Sequence, residues 1–149
     1  MRGAREKGEA GFTIVELLVV VVIIGIVAAI MLVSLMNALE KARQRATMAD
    51  MRSISKAIET YMVDNNLPPS DAGGIDALVT ALTPYHSTVI STRDHWRNEH
   101  DFSSDADGTY TIESYGKDGT DGADISLSSR FDFNLDIVLA NGVFVAAPE

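Results

Sequence analysis

Residues 12–36 read FTIVELLVVVVIIGIVAAIMLVSLM, a stretch in which the only polar side chains are those of Thr13, Glu16 and Ser34. An α-helix rises about 1.5 Å per residue, so this segment is long enough to cross a hydrocarbon core of about 30 Å. The sequence therefore predicts a membrane-spanning helix over residues 12–36.

Glu16 is the only charged residue in this span. A carboxylate inside a membrane costs about 2.5–3.5 kcal/mol at the centre and less toward the ends, so it usually has a partner. We expect that partner to be a new α-amino group, created by cleavage between Gly11 and Phe12. A plain signal anchor, in which Glu16 has no special role, is the alternative.

The residues before the span form a short basic leader. Residues 1–11 contain three basic and two acidic side chains, namely Arg2, Arg5, Lys7, Glu6 and Glu9. Positive charge of this kind stays on the cytoplasmic side, and an ordinary secretory signal would be cut after its apolar region instead. The pattern of Gly11, Phe12 and Glu16 resembles the signal of type IV pilins and type II secretion pseudopilins. The resemblance implies cleavage after Gly11 by a prepilin peptidase, methylation of Phe12 and a role for Glu16 in assembly.

The helix is predicted to continue well beyond the apolar span. Apolar residues recur at spacings of three and four along two stripes, which are Leu35, Leu39, Ala42, Ala46, Ala49 and then Met51, Ile54, Ile58, Tyr61. Turn and breaker residues follow from Asp64 to Pro69. We therefore expect one helix from Phe12 to about Val63, with an amphipathic half over residues 37–66 that packs on a globular head.

The head, residues 67–149, is predicted to be mainly β-structure. Ile75, Leu78, Val79 and Leu82 share one face of a short helix, and residues 85–90 are interpreted as a loop. Two alternating segments, 110–115 and 131–137, predict strands, and Asn141-Gly142 predicts a hairpin turn. The fold class is therefore α+β, a long N-terminal α-helix packed on a small antiparallel β-sheet.

Two further segments resemble the major pseudopilin of type II secretion systems. Tyr61-x-x-Asp64-Asn65, followed by prolines and a Gly-led short helix, matches that protein without a gap. Residues 94–98 resemble its Asp-Pro-Trp-Gly-Asn turn, with His95 and Arg97 in place of the usual Pro and Gly. Trp96, the only tryptophan, is expected to fill the core of the head. Many members also carry a Pro where Val33 stands.

Residues 116–124 form an acidic, glycine-rich loop in which Asp118, Asp121 and Asp124 recur at every third position. Calcium takes six to eight oxygen ligands, which short carboxylates and loop carbonyls can supply, although Asp-Gly pairs are also common turn residues. The loop resembles the calcium-binding segment of major pseudopilins. The resemblance implies bound calcium with Asp118 and Asp124 as ligands. The loop between these two residues is shorter here, and Asp121, which lies between them, is a candidate third ligand.

Composition argues against several other functions. The net charge is −9, or −10 without residues 1–11, which disfavours nucleic-acid binding. The chain has no cysteine, and its three histidines, His86, His95 and His100, lack metal-ligand spacing. A nucleophile motif and a phosphate-binding glycine loop are both missing from the sequence. We therefore predict that the protein is not an enzyme.

The resemblance implies a structural subunit of a helical filament, a pseudopilus, that drives protein secretion across the outer membrane. The implied partners are further copies of the chain, the prepilin peptidase, an inner-membrane assembly platform and minor pseudopilins. The implied location is the inner membrane, spanned once, with the head in the periplasm and the filament periplasmic or extracellular. The alternatives are the major subunit of a surface type IV pilus and a membrane-tethered periplasmic calcium-binding module. Residues 126–149 extend beyond the resembling region with a further strand and hairpin.

Overall fold

The computed structural model describes residues 11–83, 90–126, 129 and 132–148. Within these ranges the chain forms two helices and four strands, which are α1 (Ile14–Asn65), α2 (Gly74–Leu82), β1 (Asp101–Ser104), β2 (Tyr110–Ser114), β3 (Ile137–Ala140) and β4 (Val143–Ala146). The chain divides into two compact units between Ala38 and Leu39. The described residues before this boundary are called the stem unit, and those after it the head unit. The predicted α+β fold is confirmed.

The stem unit is the apolar part of α1. Thr13 precedes the first helical residue, and every side chain from Phe12 to Leu39 is exposed. By length and composition this part of α1 could cross a membrane. The helix continues through Val33 without interruption, as expected where Pro is replaced by a residue that keeps its backbone N–H.

The head unit is organised around one apolar core. Helix α1 contributes Met51, Ile54, Ala57 and Ile58. Helix α2 contributes three residues of its predicted face, Ile75, Leu78 and Leu82, whereas the fourth, Val79, is only half-buried. The sheet and the loop before β3 supply the rest, which are Phe102, Tyr110, Ile112, Ile125, Ile137, Leu139 and Ala146. Burying these side chains is the main favourable contribution to folding of this unit.

The four strands form one antiparallel sheet in the order β1-β2-β3-β4. Ile112 of β2 lies opposite Phe102 of β1 and Leu139 of β3, so one face of the sheet is apolar and buried. The turn between β3 and β4 has positive φ at both Asn141 and Gly142, 49° and 83°, as a type I′ hairpin requires. The predicted hairpin is therefore confirmed.

The first predicted stripe of α1 does not face the core. Ala42 and Ala49 are exposed and Leu39 is 47% exposed, whereas the polar residues Glu40, Gln44 and Thr47 are buried. This prediction was wrong because the head covers residues 40–47 with a polar turn rather than with apolar side chains. The second stripe, from Met51 to Ile58, does enter the core.

The predicted strand over residues 131–137 was also wrong. The strand β3 begins only at Ile137, and residues 133–134 form a turn in which Asp132 Oδ1 accepts a hydrogen bond from Asn134 N (3.2 Å). The alternating pattern here reflects turn chemistry and a single backbone bridge between Asp124 and Asp136. Residues 130–131, like residues 84–89 of the predicted loop and residues 1–10 of the leader, lie outside the described residues.

Candidate functional site

The N-terminal motif is a capping box at the start of α1. Glu16 Oε2 accepts hydrogen bonds from Thr13 N (2.8 Å) and Thr13 Oγ1 (2.9 Å), and Thr13 Oγ1 in turn accepts one from Glu16 N (3.2 Å). This reciprocal arrangement satisfies two N–H groups that a helix start leaves without partners. It fixes the Glu16 carboxylate beside the first turn. Sequence reasoning missed the capping box, although the Thr13-x-x-Glu16 spacing is its signature.

Three carboxylates meet where the acidic loop approaches the sheet. One oxygen from each of Glu113, Asp121 and Asp136 lies within 4.8 Å of the other two. Glu113 is on β2, Asp121 is in the loop of residues 116–124, and Asp136 directly precedes β3. Asp136 is fully buried, Glu113 is half-buried and Asp121 is exposed. We call these three residues the carboxylate cluster.

The electrostatics of the carboxylate cluster favour a bound cation. Burial, followed by the neighbouring charges of Asp136 and Asp121, raises the pKa of Glu113 to about 7. Burial also raises the pKa of Asp136, partly opposed by the hydrogen bond that Asp136 Oδ2 accepts from Gly122 N (2.8 Å). Asp136 Oδ1 is buried without a hydrogen-bond partner among the described residues. A metal ion would supply both the missing partner and the missing positive charge.

The structure brings only one of the predicted ligands into the carboxylate cluster. Asp121 belongs to it, whereas Asp118 and Asp124 are exposed and lie outside it. The charges of Asp118 and Asp124 nevertheless contribute to the raised pKa of Asp136. Asp118 Oδ1 accepts a hydrogen bond from Thr120 N (3.2 Å), which shapes the loop.

Glu113 and Asp136 were not identified from the sequence. They are separated by 23 positions, and neither belongs to the acidic loop. The pairing of β2 with β3, in which Ser114 lies opposite Ile137, brings the two residues to one end of the sheet. The sequence offered one indication, which is that each carboxylate is the direct neighbour of an apolar residue in a predicted strand, Glu113 of Ile112 and Asp136 of Ile137.

The acidic loop is held against residues 132–136 by backbone contacts. Lys117 N donates to Phe133 O (2.7 Å), and Asp136 N donates to Ala123 O (3.1 Å). Gly116 has φ 62°, and a Cβ there would lie 2.8 Å from the carbonyl oxygens of Phe133 and Leu135. Only glycine fits this position without displacing the backbone, so the loop needs Gly116 for its close approach.

The segment Asp94–Asn98 forms the turn that the sequence suggested. The buried carboxylate of Asp94 accepts hydrogen bonds through Oδ1 from Trp96 N (2.9 Å) and Asn98 N (2.8 Å). Arg97, which stands where the resembling turn has glycine, adopts a left-handed conformation with φ 80°. Trp96 is half-buried and outside the core, because its indole N–H donates to a carboxylate of α1 (2.7 Å). The expectation that Trp96 fills the core was therefore wrong.

Two models of known protein families match this chain, and one of them covers the N-terminal motif. A family model described as type II secretion system (T2SS), protein G, matches residues 34–128, and one described as a prokaryotic N-terminal methylation motif matches residues 7–32. Strands β3 and β4 lie beyond the first match.

Similar curated proteins carry the same family description. The type II secretion system core protein G of Vibrio cholerae is 34% identical over 127 residues, covering 79% of this chain and 87% of that protein. The protein of the same name from Aeromonas hydrophila is 34% identical, covering 80% of this chain and 91% of that protein. The Escherichia coli protein is 30% identical, with coverage of 81% and 90%. The chain therefore belongs to the type II secretion system protein G family.

Proposed function

We propose that this protein is the major structural subunit of a pseudopilus, the helical filament of a type II secretion system. The observation that carries the proposal is the apolar surface of α1, which is exposed at every residue from Phe12 to Leu39. An apolar surface of this length needs lipid or other helices around it. A filament subunit meets both environments in turn, because its helix first lies in the membrane and then packs among the helices of neighbouring copies. Family membership supports the same function.

The N-terminus prepares the subunit for assembly. A prepilin peptidase would cut between Gly11 and Phe12 and leave the apolar helix in the mature protein, and Phe12 would then be methylated. The matched methylation motif at residues 7–32 supports this processing. Before assembly the protein would cross the inner membrane once, with its head unit in the periplasm. An inner-membrane platform and minor pseudopilins would add it to the filament, whose growth moves secreted proteins toward the outer membrane.

Glu16 would align each incoming subunit. Its carboxylate is held at the first turn of α1 by Thr13, at 2.8 Å and 2.9 Å. The amino group of Phe12 in a neighbouring copy would offer the opposite charge within an apolar surrounding. Removing either member would leave the other charge buried and unpaired, which is costly. The pair therefore fixes the axial register between helices, and the role is structural rather than catalytic.

We also propose that the head unit binds one calcium ion at the carboxylate cluster. Glu113, Asp121 and Asp136 would hold the ion, with carbonyl groups of the acidic loop completing its oxygen shell. Oxygen atoms within 4.8 Å of one another suit calcium, which binds oxygen at about 2.3–2.6 Å and tolerates flexible geometry. When bound, calcium would neutralise the repulsion that raises the pKa of Glu113 and Asp136. The charges of Asp118 and Asp124 would add to the attraction without entering the cluster.

Filament formation tests the structural proposal. The full chain is co-expressed with the prepilin peptidase and the assembly platform, and filaments are counted by electron microscopy. We expect filaments from the wild type and few from Glu16→Val. Ser34→Val is the matched control, because it removes a polar group from the same span without removing a charge, and it should assemble normally.

The location of the filaments separates the alternatives. Periplasmic filaments that support secretion agree with a pseudopilus, whereas purely extracellular filaments would indicate a surface pilus. A processed chain that stays in the membrane and never polymerises would contradict the proposal and favour a tethered module.

Isothermal calorimetry on the full chain in detergent tests the calcium proposal. We expect one calcium ion to bind, with much weaker binding of magnesium, which demands stricter octahedral geometry. Asp136→Asn should abolish binding, and Asp105→Asn, an exposed acidic residue beside β1, should leave it unchanged. Equal binding by Asp136→Asn and the wild type would refute the assignment of the cluster.

A further inference from the structure

The turn Asp94–Asn98 lies between α1 and the acidic loop and contacts both. On one side it reaches the first residues of α1 that belong to the head unit. On the other side it reaches Ser114 and Gly116, where the acidic loop begins. Because the turn contacts both segments, a displacement of the acidic loop can alter the contacts of α1.

The contact with α1 centres on Glu40. This residue is 6% exposed, and its Oε2 accepts a hydrogen bond from Trp96 Nε1 at 2.7 Å. Its Oε1 lies 3.4 Å from Lys117 Nζ and 3.4 Å from Arg43 Nη1. The Trp96 hydrogen bond, together with Lys117 and Arg43, holds the pKa of Glu40 below its usual value despite burial. Glu40 therefore stays ionised and depends on partners from the turn and the acidic loop.

A second pair of contacts fixes the turn to α1 about two to three helical turns after Glu40. The backbone N–H of His95 donates to Thr47 Oγ1 at 3.1 Å. The His95 Nε2 atom lies 3.2 Å from Asp50 Oδ2. The burial of Glu40 and Thr47 is thus explained by their partners in the turn, which are a side-chain and a backbone N–H rather than apolar side chains.

The contact with the acidic loop is equally specific. Asn98 Nδ2 donates to Gly116 O at 2.7 Å, and Ser114 Oγ donates to Asp94 Oδ2 at 2.9 Å. Gly119 has φ 67°, and a Cβ there would lie 2.7 Å from Asn98 Oδ1. The side chain of Asn98 therefore fills the space beside the loop. A loop that moved would lose its hydrogen bond to the turn and carry Lys117 away from Glu40.

We propose that the Asp94–Asn98 turn couples calcium binding in the acidic loop to the ordering of α1 at residues 40–50. The inference rests on the calcium site proposed above. Without calcium, repulsion within the carboxylate cluster favours displacement of the loop, which weakens the contacts at Asn98 and Lys117. With calcium, the loop is fixed, Glu40 gains its full set of partners and the start of α1 in the head unit becomes rigid. Asn98 is the positioning residue in this coupling, because it touches the loop backbone and not the cation.

The only tryptophan in the chain makes the coupling measurable, since Trp96 lies in the turn itself. The full chain in detergent is stripped of metal with a chelator and then titrated with calcium. Calorimetry gives the affinity, Trp96 emission reports on the turn, and hydrogen exchange with mass spectrometry reports on residues 40–50. We expect the emission to change with the calorimetric midpoint and exchange at residues 40–50 to slow.

Variants separate coupling from binding. Asn98→Ala should weaken calcium binding about tenfold, as loss of a group that orients a metal site does, and should abolish the slower exchange even at saturating calcium. Asn134→Ala is the matched control, an exposed asparagine in the neighbouring turn, and should change neither quantity. Lys117→Met keeps the test valid if Asn98→Ala does not fold. Lys117 is exposed and makes the ammonium contact with Glu40, so this variant should bind calcium but show less protection.

The outcomes are distinguishable. Calcium binding by calorimetry with unchanged Trp96 emission and unchanged exchange at residues 40–50 would overturn the coupling and leave the calcium site standing. Wild-type behaviour of both Asn98→Ala and Lys117→Met would also overturn it. A complete lack of calorimetric binding would refute the proposed calcium site and the coupling together.

Discussion

Arg97 occupies a backbone conformation that glycine would adopt at lower cost. Its φ of 80° lies in the left-handed region, where the Cβ of an L-residue meets the following carbonyl group. The conformation persists because the turn is fixed from both sides, by Arg97 N donating to Asp94 O (3.0 Å) and Asp94 N donating to Asn98 O (2.8 Å). Arg97→Gly should therefore stabilise the head unit.

The magnitude follows from two opposing contributions. Relief of the left-handed strain contributes about 1–2 kcal/mol. The greater backbone freedom of glycine in the unfolded chain removes about 0.4–1 kcal/mol of that gain. The main-chain hydrogen bonds of the turn are unchanged, and the Arg97 side chain is exposed. We expect a net gain of roughly 0.5–1 kcal/mol, which corresponds to a rise in the unfolding midpoint of about 2–6 °C for a domain of this size.

Differential scanning calorimetry of the full chain in detergent measures this midpoint, with calcium held constant. Arg97→Ala is the matched control, because it removes the guanidinium but keeps Cβ and hence the strain. Its midpoint should not rise. If Arg97→Gly and Arg97→Ala shifted the midpoint equally, or if Arg97→Gly lowered it, the strain argument would be refuted.

Three further predictions concern the core and the response to pH. Ile58→Ala, which truncates a fully buried core side chain, should lower the free energy of unfolding in urea by about 2–5 kcal/mol, whereas truncation of the exposed Val63 should change it by less than about 0.5 kcal/mol. Because the pKa of Glu113 is raised from 4.5 to about 7, the calcium-free native state binds more protons than the unfolded chain between these values, so its stability should fall as the pH rises through this window. Calcium affinity should rise over the same window, and Glu113→Gln should remove both slopes in calorimetric titrations. Burial lowers the pKa of His100 below 6.5, so at a pH below about 6.5 the unfolded chain binds a proton that the native state does not. The contribution of His100 to stability should therefore be lost as the pH falls below this value. Urea unfolding of His100→Phe should not show this loss.

Features encoded by local sequence were predictable. The apolar span, the helix that continues to Asn65, the face of α2 and the Asn141-Gly142 turn each depend on residue spacing or on backbone preferences within a few positions. The Gly11-Phe12 and Glu16 motif is local in the same sense, and the matched methylation motif agrees with it.

Features that depend on tertiary pairing were not predictable. The carboxylate cluster forms because β2 pairs with β3, and no local pattern relates Glu113 to Asp136. The sequence analysis did not predict that Glu40 is buried, and its contacts with Trp96 and Lys117, both distant in sequence, explain that burial. Likewise, the alternation before β3 was interpreted as a strand although its residues turn around the acidic loop. In each case a specific partner distant in sequence determined the outcome.

The mass of the subunit inside an isolated filament tests the central claim most directly. Filaments are purified from cells that express the full chain with the peptidase and the assembly platform, dissolved, and analysed by intact-mass spectrometry. We predict a chain that begins at Phe12 and carries one methyl group on its amino terminus. Filaments that lack this chain, or that contain it with Met1 and the leader still attached, would contradict the account.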